Sequence, residues 1–334
     1  VRIFSVTTTI NVPHALTAYQ ACRGDVEFLV IGDRKEPEEL APFCAEAKVR
    51  FLSASAQEDL GYSCSPLIGW GVIQRRNVGF LEALKSGADV VHSWDDDNHV
   101  IDSRYFEQIV DGFNFEAGVE IVSKTRWFDP GQYLRPPSRQ RGFPYDVKSQ
   151  PQLGGVARPK VGVVAGTCIA DPDIDSVTRI ALSPDVHHVS LLTAAGYVVN
   201  PYTWTIFNSQ ASAVRREFVP AWFLWNHAGR HDDIYASLLV QRCMRDRGYY
   251  VHFGKPFAAQ NRNDHNLIDD MRAEIAGYEN VVRLGAVLDK IQLPNKSVID
   301  DCRRIWETLD HIDFVNPKTV ETANAFLDDC EPLL

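Results

Sequence analysis

The stretch IQRRNVGFLEALKSGADVVHSWDDDN, residues 73–98, decides the fold. Ile73, Asn77, Phe80 and Leu84 recur at spacings of four, three and four, which puts them on one face of a helix. Gly87 ends that helix. Ala88–Trp94 follows as a buried-strand candidate and delivers the chain directly into Asp95, Asp96, Asp97 and Asn98.

The same alternation extends toward the N-terminus. Arg2–Val6 is short and β-rich, and Ala15–Cys22 suits a helix. Phe28–Ile31 is an apolar run closed by Gly32 and Asp33, and Val49–Leu52 is a further strand candidate. Repeated β-α units of this kind predict a mostly parallel, doubly wound α/β sheet. Ligands of such sheets sit beyond the carboxyl ends of the strands. Thr7–Thr9, Asp33 and Asp95–Asp97 fall at those ends, and Thr7, Thr8, Asp33 and the aspartates are candidate ligand contacts.

Beyond residue 98 the pattern changes. Asp129–Pro159 is rich in Pro, Gly, Arg and Gln with little periodicity, and reads as a long ordered loop or lid. Val161–Ala165, Tyr197–Phe207 and Tyr249–Phe253 read as strands. Asp233–Arg247 reads as a helix with acid at its start and Arg245 and Arg247 at its end, which suits the helix dipole. From about His265 the chain is helical, with Val298, Cys302, Ile305 and Leu309 in one stripe and Val320, Ala323 and Leu327 in another. The expected organisation is an α/β domain over residues 1–265 with a helical extension, 266–334, packed on it.

Composition narrows the function. The 334 residues are 45% hydrophobic and 23% charged, enough to bury a full core. A net charge of −10, spread along the chain, argues against a nucleic-acid partner. Seven cysteines at wide spacing, with no C-x-x-C, indicate neither a disulfide framework nor a zinc site and fit free thiols in a reducing cytosol. No run approaches the roughly 18 apolar residues of a membrane span, so a cytoplasmic protein is expected.

Asp95-Asp96-Asp97 is the sharpest chemical signal. Adjacent carboxylates repel, and a divalent cation removes that penalty; oxygen-only ligands favour Mg2+ or Mn2+, which in turn bind diphosphates. If the strand continues, Asp95 and Asp97 share one side. A solvated acidic turn is the competing reading. Arg75 and Arg76 offer planar donor forks for phosphate or a base edge, or else form an exposed basic turn. Arg135, Arg139 and Arg141 cluster in the middle loop, where Gly142 and Pro144 restrict the path around Arg141. Asp171-Pro172-Asp173-Ile174-Asp175 suits an acceptor contact or a cap and turn. Of Asp232 and Asp233, one serves as a helix N-cap and the other is available as a base. His252 and His265 lie where a third metal ligand would fall, although a lone histidine is more often structural. A nucleotidyltransferase is disfavoured because Thr7–Pro13 contains no glycine for a phosphate loop.

Taken in order, these motifs resemble the catalytic region of the plant STELLO proteins and, more distantly, the reversibly glycosylated polypeptides, which are UDP-arabinopyranose mutases. The matching stretches are Leu60-Gly61-Tyr62, Arg75-Arg76-Asn77-Val78-Gly79-Phe80, Trp94-Asp95-Asp96-Asp97-Asn98, Pro130-Gly131-Gln132, Arg141-Gly142-Phe143-Pro144, Asp171–Asp175 and Phe207-Asn208-Ser209-Gln210. They span roughly Val26 to Asn280. The resemblance implies a GT-A fold with a doubly wound mixed sheet, a nucleotide-diphosphate sugar and Mn2+ or Mg2+ at the aspartates. In the mutases the arginine of the Arg-Gly-x-Pro loop is the glycosylated residue, and Arg141 holds that position here. The family's late histidine motif has no counterpart; Gln260–Arg262 falls near its place. The membrane anchor of the STELLO proteins is likewise not seen in this sequence.

The resulting expectation is a metal-dependent glycosyltransferase with an unspecified acceptor. Asp95 and Asp97 would hold the metal. Thr7, Thr8, Asp33, Arg75, Arg76, Asp95, Asp96, Arg135, Arg139, Asp173 and Asn208 would bind the nucleotide-sugar, and Asp232, Asp233 and Arg141 would carry the chemistry. The alternatives are a pyranose/furanose mutase working through Arg141 and a non-catalytic nucleotide-sugar-binding protein.

Overall fold

The computed structural model describes residues 1–262 and 266–334. Among these residues eleven strands form one mixed sheet. In chain order they are β1 (Ile3–Thr8), β2 (Val26–Ile31), β3 (Arg50–Leu52), β4 (Val90–Trp94), β5 (Asn98–Val100), β6 (Ala117–Ser123), β7 (Pro151–Ala157), β8 (Lys160–Ala170), β9 (Tyr197–Val199), β10 (Ala211–Arg215) and β11 (Tyr249–Gln260). The spatial order is β3-β2-β1-β4-β10-β8-β11-β9-β6-β7, with β5 paired to β11. The first four strands are mutually parallel, and β10 runs antiparallel to both β4 and β8. The expected doubly wound mixed α/β sheet is therefore present, with its switch of strand direction beside β4. Every residue of β4 is buried, as its unbroken run requires.

Helix α1 (Arg76–Lys85) follows a single 3-10 turn, Ile73–Arg75, and is buried on all sides from Arg76 to Leu84. Gly79 makes this possible: a Cβ there would lie 2.4 Å from Val6 Cγ1, so only glycine lets the helix lie this close to the sheet. On its other side Phe80 stacks on Trp222 at 4.7 Å. Asn77, Phe80 and Leu84 do share a buried environment, but Ile73 belongs to the preceding turn and is 42% exposed. Helix α2 (Tyr105–Phe113) covers the opposite face, where Tyr105 and Phe106 join Val30, Val90 and Trp94 in a second core.

Helix α3 (Asp232–Arg245) begins one residue earlier than expected and is buried throughout. Helices α4 (Leu267–Lys290), α5 (Val298–Leu309) and α6 (Pro317–Cys330) follow. Their apolar stripes enter the main core: Leu284, Cys302, Trp306 and Phe326 belong to the cluster that contains Val6 and Leu29. Asp329 of α6 accepts the backbone N–H groups of Ser63 and Cys64, each at 2.9 Å, where the short helix Cys64–Ile68 begins. The three helices thus close the same core as the sheet. No helix among the described residues is long and apolar enough to cross a membrane.

Two expectations are corrected. Tyr197–Phe207 is not one strand; a turn at Asn200–Thr203 separates β9 from Trp204–Thr205, which pairs with Trp127–Phe128 in a separate ribbon. Nor is Asp129–Pro159, expected as a long ordered loop or lid, a loop throughout. Pro130, Gly131, Phe143 and Pro144 are buried, and Asp129 Oδ1 takes the N–H groups of Gly131 (2.9 Å) and Gln140 (3.3 Å), giving a polar segment an internal partner. Residues 151–157 form the edge strand β7.

Candidate functional site

Two cavities meet at the carboxyl ends of β1, β2 and β4. The first, about 330 Å3, is lined by Thr8, Thr9, Gly32, Asp33, Gly71, Arg76 and Asp95–Asp97. The second, about 270 Å3, is lined by Arg141, Asp173, Arg230, Asp232, Asp233, Gln260 and Arg262. Ile73, Asp95 and Asp97 line both. Asp96 lines only the first, where its carboxylate accepts the Thr9 hydroxyl. The split of Asp95 and Asp97 from Asp96 matches the sequence expectation, but its cause differs. β4 stops at Trp94, and residues 95–98 form a turn closed by Asn98 N–H to Asp95 O at 3.0 Å.

The three aspartates have separate holders. Arg76, 1% exposed, donates to Asp95 Oδ1 at 2.9 Å and to Thr8 Oγ1 at 3.3 Å; Ser93 Oγ and Ser209 O take its other terminal nitrogen at 3.0 and 3.1 Å. Gln260 Nε2 donates to Asp97 Oδ2 at 3.1 Å, and Asp97 Oδ1 is buried with no protein partner. Burial, then the Asp95 charge, pushes the Asp97 carboxyl up to about 6. Strand pairing explains Gln260: β5 leaves the aspartate turn and runs antiparallel to the end of β11, with Asn98 opposite Gln260.

Among the described residues no group of three or more His, Cys, Asp or Glu side chains is placed to hold a metal. His252 packs against Phe115 at 5.0 Å, and burial lowers its pKa to about 4, so it is a core residue rather than a ligand. His265 lies outside the described residues. Asp95 and Asp97 nevertheless fit a hard divalent ion, since Mg2+-type sites commonly take one or two carboxylates and complete their shell with water and phosphate. The unpartnered Asp97 oxygen is the observation that favours it.

The second cavity is organised by Arg141. Its Nε reaches both oxygens of Asp173 at 2.7 and 2.9 Å, its Nη2 reaches Asp173 at 2.7 Å and Asp233 at 3.1 and 3.2 Å, and its Nη1 donates to Arg230 O. Burial by itself would lower the Arg141 pKa, but the Asp173 and Asp233 carboxylates hold it well above its ordinary value. Burial likewise works against the charged form of Asp173, yet Arg141 holds its pKa well below the usual carboxylate range. Asn208 Nδ2 also donates to Asp173, at 2.9 Å. Asp233 takes Ser209 N–H at 2.9 Å as well as Arg141. Asp232 is left with Gln74 Nε2 at 2.8 Å; burial, then the Asp233 charge, raises its carboxyl to about 7.

Several expected contacts fall elsewhere. Thr7 is fully buried behind the cavities. Arg75 borders the first cavity, but its nitrogens are committed to Gln57 Oε1 (2.6 and 2.9 Å) and Ser65 O (2.9 Å), and it stacks on Trp70 at 4.0 Å; it braces the wall. Arg135 donates to the backbone of Gln132 and Leu134, while Arg139 donates to Pro144 O and stacks on Tyr145 at 4.6 Å. Neither lines the cavities at the aspartates, because the buried loop path turns them away. Asn208 positions Asp173 and lines a neighbouring cavity instead. Asp175 is spent as the N-cap of the helix Ser176–Leu182. Gln74 and Arg230 were not among the residues given a role from the sequence, because isolated polar residues give no local signal; Ser209 and Gln210 stood in the matching stretch Phe207–Gln210 but were given no role.

No family model matches the sequence, and no curated protein matches it. Among solved structures the chain is similar to glucosyl-3-phosphoglycerate synthase from Mycobacterium tuberculosis. The structure of that enzyme with uridine diphosphate aligns at 12% identity and a TM-score of 0.45, over 85% of this chain and 80% of that one. Its complex with Mn2+ and UDP-glucose aligns at 11% identity and a TM-score of 0.44, over 84% and 78%.

Proposed function

We propose that this protein is a metal-dependent glycosyltransferase of the GT-A type that takes its sugar from a nucleotide diphosphate. One observation carries the reading: Asp95 and Asp97 stand on the shared wall of two cavities at the strand ends, and one Asp97 oxygen is buried without a partner among the described residues. The first cavity suits the nucleotide. Asp33 lies there, its Oδ2 fixed by Gly71 N–H at 2.7 Å and its Oδ1 buried without a partner. The second suits the sugar and acceptor. Asp95 and Asp97 would hold Mn2+ or Mg2+, whose Lewis acidity neutralises a departing diphosphate.

The chain's own residues divide the remaining work. Arg76 keeps Asp95 in place. Asp232 accepts the proton of the acceptor hydroxyl; a carboxyl near 7 is matched to that task at neutral pH. Asp233 orients Arg141 and is occupied by it. The Arg141 guanidinium donates to Asp173, Asp233 and Arg230 O and stays protonated, so it has no lone pair for attack on an anomeric carbon. This favours transfer over a mutase with a glycosylated arginine.

The test is a panel of nucleotide-sugars with Mn2+, with and without acceptor mixtures, read by mass spectrometry of small products and intact protein. Acceptor-dependent release of nucleoside diphosphate supports the transferase. Isomerised nucleotide-sugar without an acceptor means a mutase, and binding without turnover means a non-catalytic protein.

A further inference from the structure

The charges of the second cavity do not all cancel. Asp95 is paired with Arg76, and Asp173 and Asp233 with Arg141. Arg230 is paired with Asp270 at 3.1 Å and Glu274 at 3.1 Å. Arg262 is different. Its side chain is only 9% exposed, it lines the cavity beside Asp97 and Gln260, and its Nε is buried with no hydrogen-bond partner among the described residues. Among those residues the carboxylate within ion-pair reach is Asp173, at 4.0 Å, too long for a hydrogen bond. Asp173 is instead engaged by Arg141, which reaches both its oxygens, and by Asn208, which reaches one. Asp173 and the Asp97 carboxylate offset part of the Arg262 charge without hydrogen-bonding it, while Arg141, Arg179 and Arg230 add positive charge around it. A buried guanidinium without a full partner is costly, and the cost is relieved by an anion with several oxygen acceptors.

We propose that Arg262 is the anion-binding residue of this cavity, taking a phosphoryl-class oxyanion through its planar fork. The inference rests on the transferase reading for its biological meaning but not for its test. The oxyanion has two possible sources: the diphosphate of the donor or a phosphoryl group on the acceptor. Both present the tetrahedral oxygens that a guanidinium grips in pairs.

Calorimetric titration of inorganic pyrophosphate into wild type, Arg262→Met and Arg262→Lys tests this directly. Arg262→Met should weaken pyrophosphate about tenfold or more, and Arg262→Lys by a smaller factor, since lysine keeps the charge and loses the fork. The melting temperature of Arg262→Met should equal or exceed that of wild type, because an unpaired buried cation is removed. If Arg262→Met does not fold, Arg262→Lys against wild type carries the comparison. Equal pyrophosphate affinity in wild type and variant, or no binding by wild type, overturns the proposal. UDP weakened in parallel assigns the oxyanion to the donor. UDP unchanged, with inorganic phosphate weakened at saturating UDP, assigns it to the acceptor. Pyrophosphate binding that depends on Arg262, beside a failed nucleotide-sugar panel, overturns the transferase alone.

Discussion

Gln260 donates to Asp97 across 163 residues of sequence, and the bond leaves one Asp97 oxygen bare. A neutral amide thus fixes the carboxylate without cancelling its charge, and the remaining charge is available to a cation. Asp97→Asn should therefore lower turnover by at least about a hundredfold, equivalent to about 3 kcal/mol of lost transition-state stabilisation. The metal-free protein should be as stable as wild type or more so, since a buried carboxylate is replaced by an uncharged isostere. Wild-type turnover in Asp97→Asn would remove the metal assignment; circular dichroism checks the fold.

The pH dependence follows from Asp232. Its folded carboxyl sits near 7, above the ordinary carboxylate value. As a base it must be ionised, so kcat/KM should rise with pH and level off above about 7, with the lower-pH limb lost in Asp232→Asn. Stability runs the other way. Between the unfolded value near 4 and the folded value near 7 the native state binds more protons, so stability falls as pH rises through that window. Asp129, also raised to about 7 by burial, adds to the same slope. Denaturant unfolding at pH 5 and pH 7.5 checks the sign.

Removing the Arg141 guanidinium should be severe. Arg141→Met leaves Asp173 and Asp233 facing each other unneutralised, an effect of about 3–5 kcal/mol for a broken buried pair. Arg141→Lys should cost less but still lose the bidentate grip. Thermal melts rank the two. Peptide mass spectrometry after incubation with nucleotide-sugar should find no glycosyl mass on the Arg141 peptide, and finding one would favour the mutase.

Gly142 holds the approach to Arg141. Its φ is +85°, and an added Cβ would lie 2.5 Å from Ile234 Cγ2. Gly142→Ala should destabilise by about 2–4 kcal/mol, combining the left-handed backbone penalty with overpacking. Activity should fall further than stability explains, because Ile234 is on the helix that begins with Asp232 and Asp233.

What could be read in advance depended on whether the signal was local. The 73–98 stretch carries its own periodicity, its glycine stop and its acidic turn, so the helix, the strand and the placement of Asp95–Asp97 were all legible. Arg75 and Arg76 showed only their charge. That one braces Trp70 and the other holds Asp95 depends on Gln57, Ser65 and Ser209, from distant segments. Polar, Gly- and Pro-rich composition suggested a long ordered loop or lid at Asp129–Pro159. It could not reveal that Asp129 supplies the segment with an internal hydrogen-bond acceptor. Gln260 and Arg262 reach the site through the antiparallel register of β5 on β11, which no single stretch encodes.

The grip of Asp329 on the amides of Ser63 and Cys64 has a consequence for the first cavity. Ser65, in the helix that those amides open, holds Arg75, and Arg75, stacked on Trp70, lines the first cavity. The parts of that wall lie before Arg76 in the sequence, but the residue that fastens them follows Cys64 by 265 positions. The wall is therefore completed by a contact between distant segments, and a substitution that removes the Asp329 carboxylate should loosen the brace around Arg75 from across the chain.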